Sequence, residues 1–548
     1  MKPFFFPIFA CAALAAAACS AQGHTPIDPQ RLSHDIRMLS ADALEGRGPA
    51  TRAEPKVIDY IVHRFRELGL QPGGAHGGWT QDVPLDSFQV TGPVKLALTT
   101  GGQTQTLTQG EEAVVQTLLP VDHVGIKDAP LVFVGYGVKA PERGWDDFKG
   151  YDLRGKIAVV LINDPDFENP TSTLFGGPVE TYYGRWTYKY EEAARRGALG
   201  MLIVHETAPA SYGWLTVKNS NANTQFDIVR DDPAKAHALL QGWIQRDLAV
   251  KLFRACSLDF DVEKKAAQQA DFHPIPLSCA SFSADYGLDH KTVVSHNILA
   301  KLIGTARPNE TVIFSAHWDH LGVGEPDAKG DRIFNGALDN ASGVADILEL
   351  ARVFAKAPRT DRTVVFMAVT AEEKGLLGSL YYAAHPLYPL ATTAADINFD
   401  ALDADGPARD ISLRGDGQVS LEDDLIAAAK RHDRYFSPEP DPGAGHFFRA
   451  DHFSFAKVGV PAVSLTSGRD LVIGGRAAGD AWHAEYVAHR YHQPADEWAP
   501  GMNLTGEAED VGLAYEVGRA LANSTAWPQW QANSEFKPTR DASAGQRR

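Results

Sequence analysis

From about residue 292 onwards, the sequence alternates short apolar runs with amphipathic segments, and this alternation narrows the folds open to the chain more than any other feature. Apolar residues at helical spacing predict helices at residues 342–356 and 421–431. Strands that alternate with helices favour a sheet with substantial parallel pairing, so we expect an α/β fold. The predicted strands are residues 311–316, 363–370, 395–399 and 461–465.

Three of these strands end directly in ionisable residues. Residues 315–320 contain a His-x-Asp pair, residues 371–375 contain Glu-Glu, and residues 398–403 contain two aspartates. Ligands collect at the carboxyl ends of strands in open α/β sheets, so the three segments should converge on one crevice. Each alone has an ordinary explanation, since a Glu-Glu at a helix start merely complements the helix dipole. Their coincidence with residues 334–343 and 491–496 favours a metal site.

The residue types in these segments suit zinc. Imidazole and carboxylate are common zinc ligands, and the lack of a cysteine cluster argues against a closed structural site. Two zinc ions roughly 3.5 to 4 Å apart can clamp the attacking and departing oxygens of a hydrolysis. A bridging carboxylate sets that distance, and Asp339 has the two oxygens that it needs.

At these residues the sequence closely resembles the di-zinc metallopeptidase family that includes aminopeptidase Y and glutamate carboxypeptidase. The resemblance covers roughly residues 39–73 and 297–522. It implies a zinc-exopeptidase-like three-layer α/β/α domain with a mixed, largely parallel sheet, and two zinc ions as cofactors. The sequence separations between the motifs each leave room for one βα unit, as that topology requires.

The family pattern implies a role for each residue of the motifs. His317 and Asp400 would bind one zinc ion, Glu373 and His492 the other, and Asp339 both. Glu372 would be the general acid/base, taking a proton from a zinc-activated water and passing it to the leaving amine. All five ligand positions are filled.

Two further expectations concern neighbours of the ligands. Asp319 is expected to accept a hydrogen bond from the ring nitrogen of His317 that faces away from the metal, which fixes the tautomer. The alternative is a solvated loop aspartate. The resemblance also implies a cis peptide bond at Asp339–Asn340. His489 competes with His492 as a ligand, but only His492 fits the family motif. The remaining nearby histidines are expected to be ordinary surface or core residues: His320, His452 and His483.

The expected activity is that of an exopeptidase acting on peptides, most readily an aminopeptidase that releases N-terminal amino acids. A carboxypeptidase is the alternative, and it would need a convergent arginine cluster. The sequence does not decide whether Arg449, Arg469 and Arg476 converge. A one-zinc cyclase acting on N-terminal glutamine is disfavoured by the complete two-metal set. A non-catalytic protein resembling the transferrin receptor would be expected to have lost ligands, and none is lost.

The 548 residues predict at least two domains. Residues 27–90, with a helix at 53–68, and residues 290–526 are expected to form the peptidase domain. Residues 114–284 resemble a protease-associated domain, a small β-rich insert, through residues 135–137, 152–156 and 193–198. That insert holds no cluster of catalytic residue types, so we expect it to restrict substrates or to pack. The polar, non-periodic residues 527–548 are expected to be disordered.

Residues 1–18 form a predicted signal peptide with an apolar run after Lys2. Cys19 then fits a lipobox, which predicts an exported lipoprotein, periplasmic or anchored in an outer membrane, whereas plain cleavage would give a secreted protein. Cys256 and Cys279 either pair or remain two buried thiols. The net charge of −17 excludes nucleic acid as a partner, and the sequence does not indicate an oligomeric state.

Overall fold

The computed structural model describes residues 27–169, 171–402 and 405–547. The predicted signal peptide and Cys19 lie outside this part of the chain. Within it, no helix combines the length and the apolar character that crossing a membrane requires.

Twenty strands are present among the described residues, and sixteen of them belong to one sheet. Their bounds are β1 Gln71–Pro72, β2 Thr80–Thr100, β3 Gln103–Leu107, β4 Ala113–Gln116, β5 His123–Phe133, β6 Lys139–Ala140, β7 Trp145–Asp146, β8 Ile157–Leu161, β9 Gly200–His205, β10 Gln225–Ile228, β11 Leu240–Gln245, β12 Ile275–Leu302, β13 Arg307–His317, β14 Gly322–Val323, β15 Ile333–Phe334, β16 Arg362–Val369, β17 Thr393–Phe399, β18 Asp410–Leu413, β19 Tyr435–Phe436 and β20 Ala462–Ser467.

Fourteen α-helices accompany them in the described part of the chain. Their bounds are α1 Pro29–Leu39, α2 Glu54–Glu67, α3 Trp186–Arg195, α4 Thr207–Ala210, α5 Trp214–Ala222, α6 Arg246–Ala255, α7 Phe260–Ala266, α8 Gly343–Lys356, α9 Leu377–Ala384, α10 Leu421–Arg431, α11 His452–Lys457, α12 Gly475–His489, α13 Thr505–Asn523 and α14 Lys537–Ala542.

One half of the sheet, formed by β12, β13 and β16–β20 and called the peptidase half after the predicted domain, is mixed and largely parallel, as predicted. Its order is β19-β18-β20-β17-β13-β16-β12, in which β13 runs parallel to both β16 and β17, and β17 runs parallel to β20. β12 is antiparallel to β16, and β18 is antiparallel to β20. The parallel strands β13 and β17 end at His317 and Phe399, so the ionisable residues at their ends share one edge.

Helices cover both faces of this half. Successive side chains of a strand point to opposite faces, and Val312 and Phe314 of β13 pack into the cluster that holds α1, α8 and α13. Ile313 of the same strand packs on the other face, with Tyr382 of α9 and Phe455 of α11. The result is the three-layer α/β/α arrangement that the sequence predicts.

A second, β-rich half continues the same sheet beyond β12, in the order β12-β5-β8-β9-β11-β4. Its own hydrophobic core contains residues from Phe88 to Leu288, a wider range than the predicted 114–284. Cys256 and Cys279 form a disulfide that joins the end of α6 to β12. The protease-associated identity of this half remains a prediction.

The predicted disorder of residues 527–548 is wrong for the described residues of that stretch. Trp530 and Phe536 are buried in the peptidase core, where the Phe536 ring stacks on Phe447. α14 follows, and its buried Arg540 lies over the ring of Trp527. Single aromatic side chains anchor this segment to the core. Their spacing has no helical or strand periodicity, so the sequence pattern does not reveal it.

Candidate metal centre

His317 ends β13 and lies buried at the crevice. Its Nε2 atom is 3.3 Å from Asp339 Oδ1 and 3.7 Å from Asp400 Oδ1. Its Nδ1 atom is 3.1 Å from the main-chain oxygen of Asp319, whereas the Asp319 carboxylate is 3.7 Å away. The carbonyl is therefore the nearer acceptor for Nδ1, and the role of the Asp319 side chain stays a prediction. Its Oδ1 atom accepts the Glu372 main-chain N–H instead, at 3.1 Å.

Asp339 lies on a loop that a second acidic residue holds in place. The main-chain N–H groups of Leu338 and Asp339 donate to the Asp496 carboxylate, at 3.0 to 3.2 Å. The N–H of Ala337 donates to the Asp496 carbonyl at 2.9 Å. The predicted cis peptide bond is present at Asp339–Asn340. Asp496 thus ties the segment that contains His492 to the loop that contains Asp339.

The two oxygens of Asp339 face two different histidines. Oδ1 faces His317, and Oδ2 lies 3.2 Å from His492 Nε2. His492 Nε2 is also 3.1 Å from Glu373 Oε2. Two groups of side chains therefore share one carboxylate, which is the arrangement that a bridging ligand requires.

Glu373 has a second histidine partner. His320 Nδ1 lies 2.5 Å from Glu373 Oε1, and both side chains are buried. His320, Asp339 and Glu373 offer ligand atoms within 4.8 Å of one another, as do His317, Asp339 and Asp400. His320 is thus a buried residue in contact with a predicted ligand, and whether it also binds metal is untested.

Glu372 lies beside both groups. Its Oε2 atom is 3.8 Å from His317 Nε2. Burial raises the pKa of Glu372 well above its ordinary value, His317 opposes this effect, and the charges of Asp400 and Glu373 add to it. A carboxyl group with a raised pKa next to the reacting centre is suited to accept and return a proton.

The backbone is strained next to these residues. Ala371, which precedes Glu372, has a φ of 52°, and Ala401, which follows Asp400, has a φ of 50°. His492 itself has a φ of 55°. Non-glycine residues seldom adopt the left-handed region, so the surrounding structure must hold these three residues in it.

Helix α5 of the β-rich half holds His492 from outside the peptidase half. Ser220 Oγ lies 2.7 Å from His492 Nδ1 and donates its own hydrogen to the Thr216 carbonyl at 2.8 Å. Because that hydrogen is used, the serine oxygen accepts the Nδ1 hydrogen, which leaves Nε2 of His492 free to bind metal. Asn219 Nδ2 donates to the His492 carbonyl at 2.8 Å.

The buried side chain of Arg47 connects several main-chain segments around the crevice. Its guanidinium donates to the main-chain oxygens of Leu39, Trp318, Asn335 and Gly336, at 2.5 to 2.8 Å. It is 1% exposed, so no solvent competes for these bonds. Burial lowers the pKa of Arg47 to about 10 although Asp496 and Asp319 oppose it. One side chain therefore joins the segments that carry His317 and Asp339.

Acidic side chains outnumber imidazoles in the cluster, and their charges raise the pKa of both histidines. Burial would lower the pKa of His492, but Glu373 and Asp339 outweigh it and raise that pKa to about 10. Burial likewise would lower the pKa of His317, yet Glu372, Asp339 and Asp400 raise it well above its ordinary value. Buried carboxylates and imidazoles in this ratio suit divalent cations, which would replace the imidazole protons. The residues present therefore fit zinc.

A cavity of about 1040 Å³ opens at the cluster between the two halves of the molecule. Asp339, Glu372, Glu373, Asp400 and His492 line it from the peptidase half. Tyr212 and Ser220 line it from the β-rich half. A substrate in this cavity would touch both halves.

The structure thus brings all seven predicted site residues together, although their roles remain predictions. Sequence reasoning missed His320, Asp496, Ser220 and Arg47. His320 and Asp496 belong to the quoted motifs, so a signal was available for them. Ser220 and Arg47 lie far along the chain from the ligands, and no local pattern marks them.

Residues 297–512 match the family model described as peptidase family M28. The chain is 40% identical over 103 residues to a "Probable zinc metalloprotease" of Pyrenophora tritici-repentis, an alignment that covers 19% of this chain and 23% of the relative. It is 27% identical over 249 residues to the "Probable lipoprotein aminopeptidase LpqL" of Mycobacterium tuberculosis, covering 41% of this chain and 46% of the relative. The chain thus spans less than half the length of these curated relatives.

Among solved structures, the fold is similar to that of an aminopeptidase from Aneurinibacillus sp. strain AM-1. The TM-score is 0.53 at 22% identity, and the match covers 89% of this chain and 93% of the other. At 22% sequence identity, this similarity is evidence for the fold alone. The match of residues 297–512 to the model of peptidase family M28 agrees with the resemblance drawn from the motifs.

Proposed function

We propose that this chain is a zinc-dependent aminopeptidase that releases N-terminal amino acids from peptides. The observation that carries the proposal is the sharing of Asp339 between two groups of ligand atoms, with Glu372 beside them. His317 and Asp400 complete one group, and Glu373 and His492 complete the other. The family match of residues 297–512 supports hydrolysis of peptide bonds.

Two zinc ions held there would polarise the scissile carbonyl and lower the pKa of bound water toward about 7. Glu372 would take the proton of the attacking water and deliver it to the leaving amine, since burial already favours its protonated form. Asp319 would position Glu372 through its main-chain N–H. His320 would hold Glu373 in its ligating orientation through the Nδ1 contact.

The preference for the N-terminal end follows from two similar proteins. LpqL is described as an aminopeptidase, and so is the protein from Aneurinibacillus. A carboxypeptidase that uses the same residues is the competing function. The two activities differ in whether the substrate must have a free amine.

The test uses full-length protein that is stripped of metal with a chelator and then reloaded with zinc in steps. Each sample receives a free tripeptide and its N-acetylated counterpart, and the products are identified by mass spectrometry. We expect activity to rise until two zinc ions are bound, with loss of the first residue of the free peptide alone. Removal of the last residue from the N-acetylated peptide would favour the carboxypeptidase, and no hydrolysis at either end would refute the proposal.

We also place the protein outside the cytoplasm, anchored through a lipid on Cys19. The disulfide between Cys256 and Cys279 supports an oxidising compartment, and LpqL is described as a lipoprotein. Cells that express the chain should incorporate labelled palmitate into it, and Cys19→Ala should abolish the labelling. Equal labelling of both proteins would contradict the anchor.

A further inference from the structure

Three arginines surround the indole ring of Trp527, at the end of the sheet opposite the metal crevice. The guanidinium carbons of Arg362, Arg540 and Arg547 lie 4.5, 5.7 and 6.0 Å from the centre of that ring. Arg362 is the first of the eight residues of β16, whereas Glu372 follows the end of that strand. At about 3.3 Å per residue, the arginines are therefore roughly 20–25 Å away from Glu372.

Arg540 leaves one side of its guanidinium group without a partner. The residue is 2% exposed, and its Nε and Nη2 atoms are buried without a hydrogen-bond partner among the described residues. Its Nη1 atom makes only long contacts, at 3.3 and 3.5 Å, with the carbonyls of Leu390 and Ala391. Two adjacent donors of a buried cation thus have no acceptor in the part of the chain that the structure describes.

Nε and Nη2 are the two atoms with which arginine binds both oxygens of an oxyanion. Arg154 donates from this pair to the two carboxylate oxygens of Asp152, at 2.9 Å each. Arg230 binds Asp227 in the same way, at 2.5 and 2.9 Å. The two N–H groups are parallel, so they match two oxygens of one acceptor. In Arg540 the same pair of donors is buried, which indicates an oxyanion as its partner.

Two more buried donors beside the same ring lack an acceptor. The Nη2 atom of Arg362 and the Nε1 atom of Trp527 have no hydrogen-bond partner within the described ranges. The ring attracts the guanidinium charges, but it accepts only weak hydrogen bonds, so these contacts do not satisfy the N–H groups. Trp527 is itself only half-buried, and a small anion can therefore reach the arginines from solvent.

The acidic side chains close to the arginines have other partners. Glu310 accepts a hydrogen bond from Arg362 Nε at 2.7 Å. Asp541 accepts one from Lys537 Nζ, also at 2.7 Å. Among residues 27–169, 171–402 and 405–547, no carboxylate forms an ion pair with Arg540. The described part of the chain therefore does not supply the anion that this guanidinium group needs.

The charge of Arg540 is costly where it lies. Burial lowers the pKa of Arg540 to about 9, and the charges of Arg547 and Arg362 lower it further. A buried charge without a partner is unfavourable, and like charges nearby increase the cost. An oxyanion beside Arg540 would provide both the missing acceptors and the missing negative charge.

We propose that Arg540, Arg362 and Trp527 bind a tetrahedral oxyanion of the sulfate and phosphate class. Arg540 binds two oxygens through Nε and Nη2, and Arg362 Nη2 and Trp527 Nε1 donate to the others. Residues 527–547 contribute two of these side chains, and β16 contributes the third. The anion therefore stabilises the packing of the C-terminal segment on the sheet. This site is independent of the metal centre and of the proposed function.

Hydrogen exchange followed by mass spectrometry tests the site, because it reports on residues 527–547 separately from the crevice. Zinc-loaded full-length protein is compared in sodium sulfate, sodium acetate and sodium chloride at equal ionic strength. At a sulfate concentration tenfold above its Kd, opening of the segment should become about tenfold rarer, and its exchange should slow by that factor. Equal exchange in sulfate and chloride would overturn the proposal, and slowing by acetate alone would overturn the tetrahedral class.

Substitutions separate a bound anion from the general effect of sulfate on stability. Arg540→Gln and Arg362→Gln should each lose most of the slowing, and so should Arg540→Lys, which keeps the charge without the paired donors. Arg431→Gln is the matched control, because Nε and Nη2 of Arg431 already bind Glu516, and it should keep the full slowing. If Arg540→Gln does not fold, Arg540→Lys and Arg362→Gln decide. Slowing of equal size in these variants and in wild type would refute the site.

Discussion

Replacing Ser220 by alanine should weaken one of the two predicted zinc sites and spare the other. Ser220 Oγ accepts the Nδ1 hydrogen of His492 at 2.7 Å and is committed to that role by its own bond to Thr216. His317 has a different partner, the Asp319 carbonyl, so its tautomer does not depend on the serine. The substitution should therefore weaken binding only of the zinc ion that His492 and Glu373 would hold.

The size of the effect follows from what is left behind. In Ser220→Ala, the Nδ1 hydrogen of a 9% exposed imidazole loses its acceptor, a cost of roughly 1–3 kcal/mol. That corresponds to about tenfold to a hundredfold weaker binding, the range found when groups that orient metal ligands are removed. Competition with a chromophoric zinc chelator measures both sites in one titration. We expect one of the two zinc ions, the one that His492 and Glu373 would bind, to lose affinity by this factor, and activity to return at saturating zinc.

Asn221→Ala is the matched control for this experiment. Asn221 lies on the same helix and lines the same cavity, but its side chain donates to the Val217 carbonyl within α5. It should leave both zinc affinities unchanged. Unchanged affinities in Ser220→Ala, or equal weakening of both zinc ions, would refute the reasoning that the β-rich half fixes the orientation of His492.

Three further predictions concern stability. Arg47→Ala should lower the free energy of unfolding by roughly 3–5 kcal/mol in urea titrations, because four buried carbonyls lose their donor; a change below about 1 kcal/mol would contradict this. The double variant Cys256→Ser/Cys279→Ser should lose about 3 kcal/mol, since the disulfide closes a loop with a sequence separation of 23, whereas an equal Tm with and without the bond would argue against it. Burial raises the pKa of Asp346 well above its usual 3.8, and the Glu507 carboxyl adds to this effect. The Asp346 carboxyl group therefore contributes fully to stability below pH 3.8, and this contribution is lost as the pH rises through the pKa of the folded state. Asp346→Asn should accordingly raise Tm relative to wild type more at about pH 8 than at about pH 5, and the opposite trend would refute the assignment.

The strands and the ligands could be predicted because their signals are local. β13 and β16 appear in the sequence as apolar runs that end in His317 and just before Glu372, and parallel strands place such ends at one edge. The Asp319 side chain shows the limit of this reasoning. Proximity in sequence indicated a contact with His317, but it could not decide between the carboxylate and the carbonyl of the same residue.

The remaining site residues depend on tertiary packing. Ser220 contacts His492 across 272 positions of sequence, and Arg47 reaches the Asn335 carbonyl across 288. Such pairs leave no periodicity or spacing to detect. The burial of Trp530 and Phe536 likewise depends on residues distant in sequence, such as Phe447, which stacks on Phe536.

Glu372 is expected to move protons beside two zinc ions that it does not itself bind. The most direct measurement is the zinc content of Glu372→Ala protein, determined on the same sample as its kcat/KM for a free tripeptide. We predict two zinc ions per chain, as in wild type, together with a loss of activity of about a hundredfold or more, the contribution typical of a general acid/base. Wild-type activity in this variant, or activity lost together with the zinc, would contradict the account.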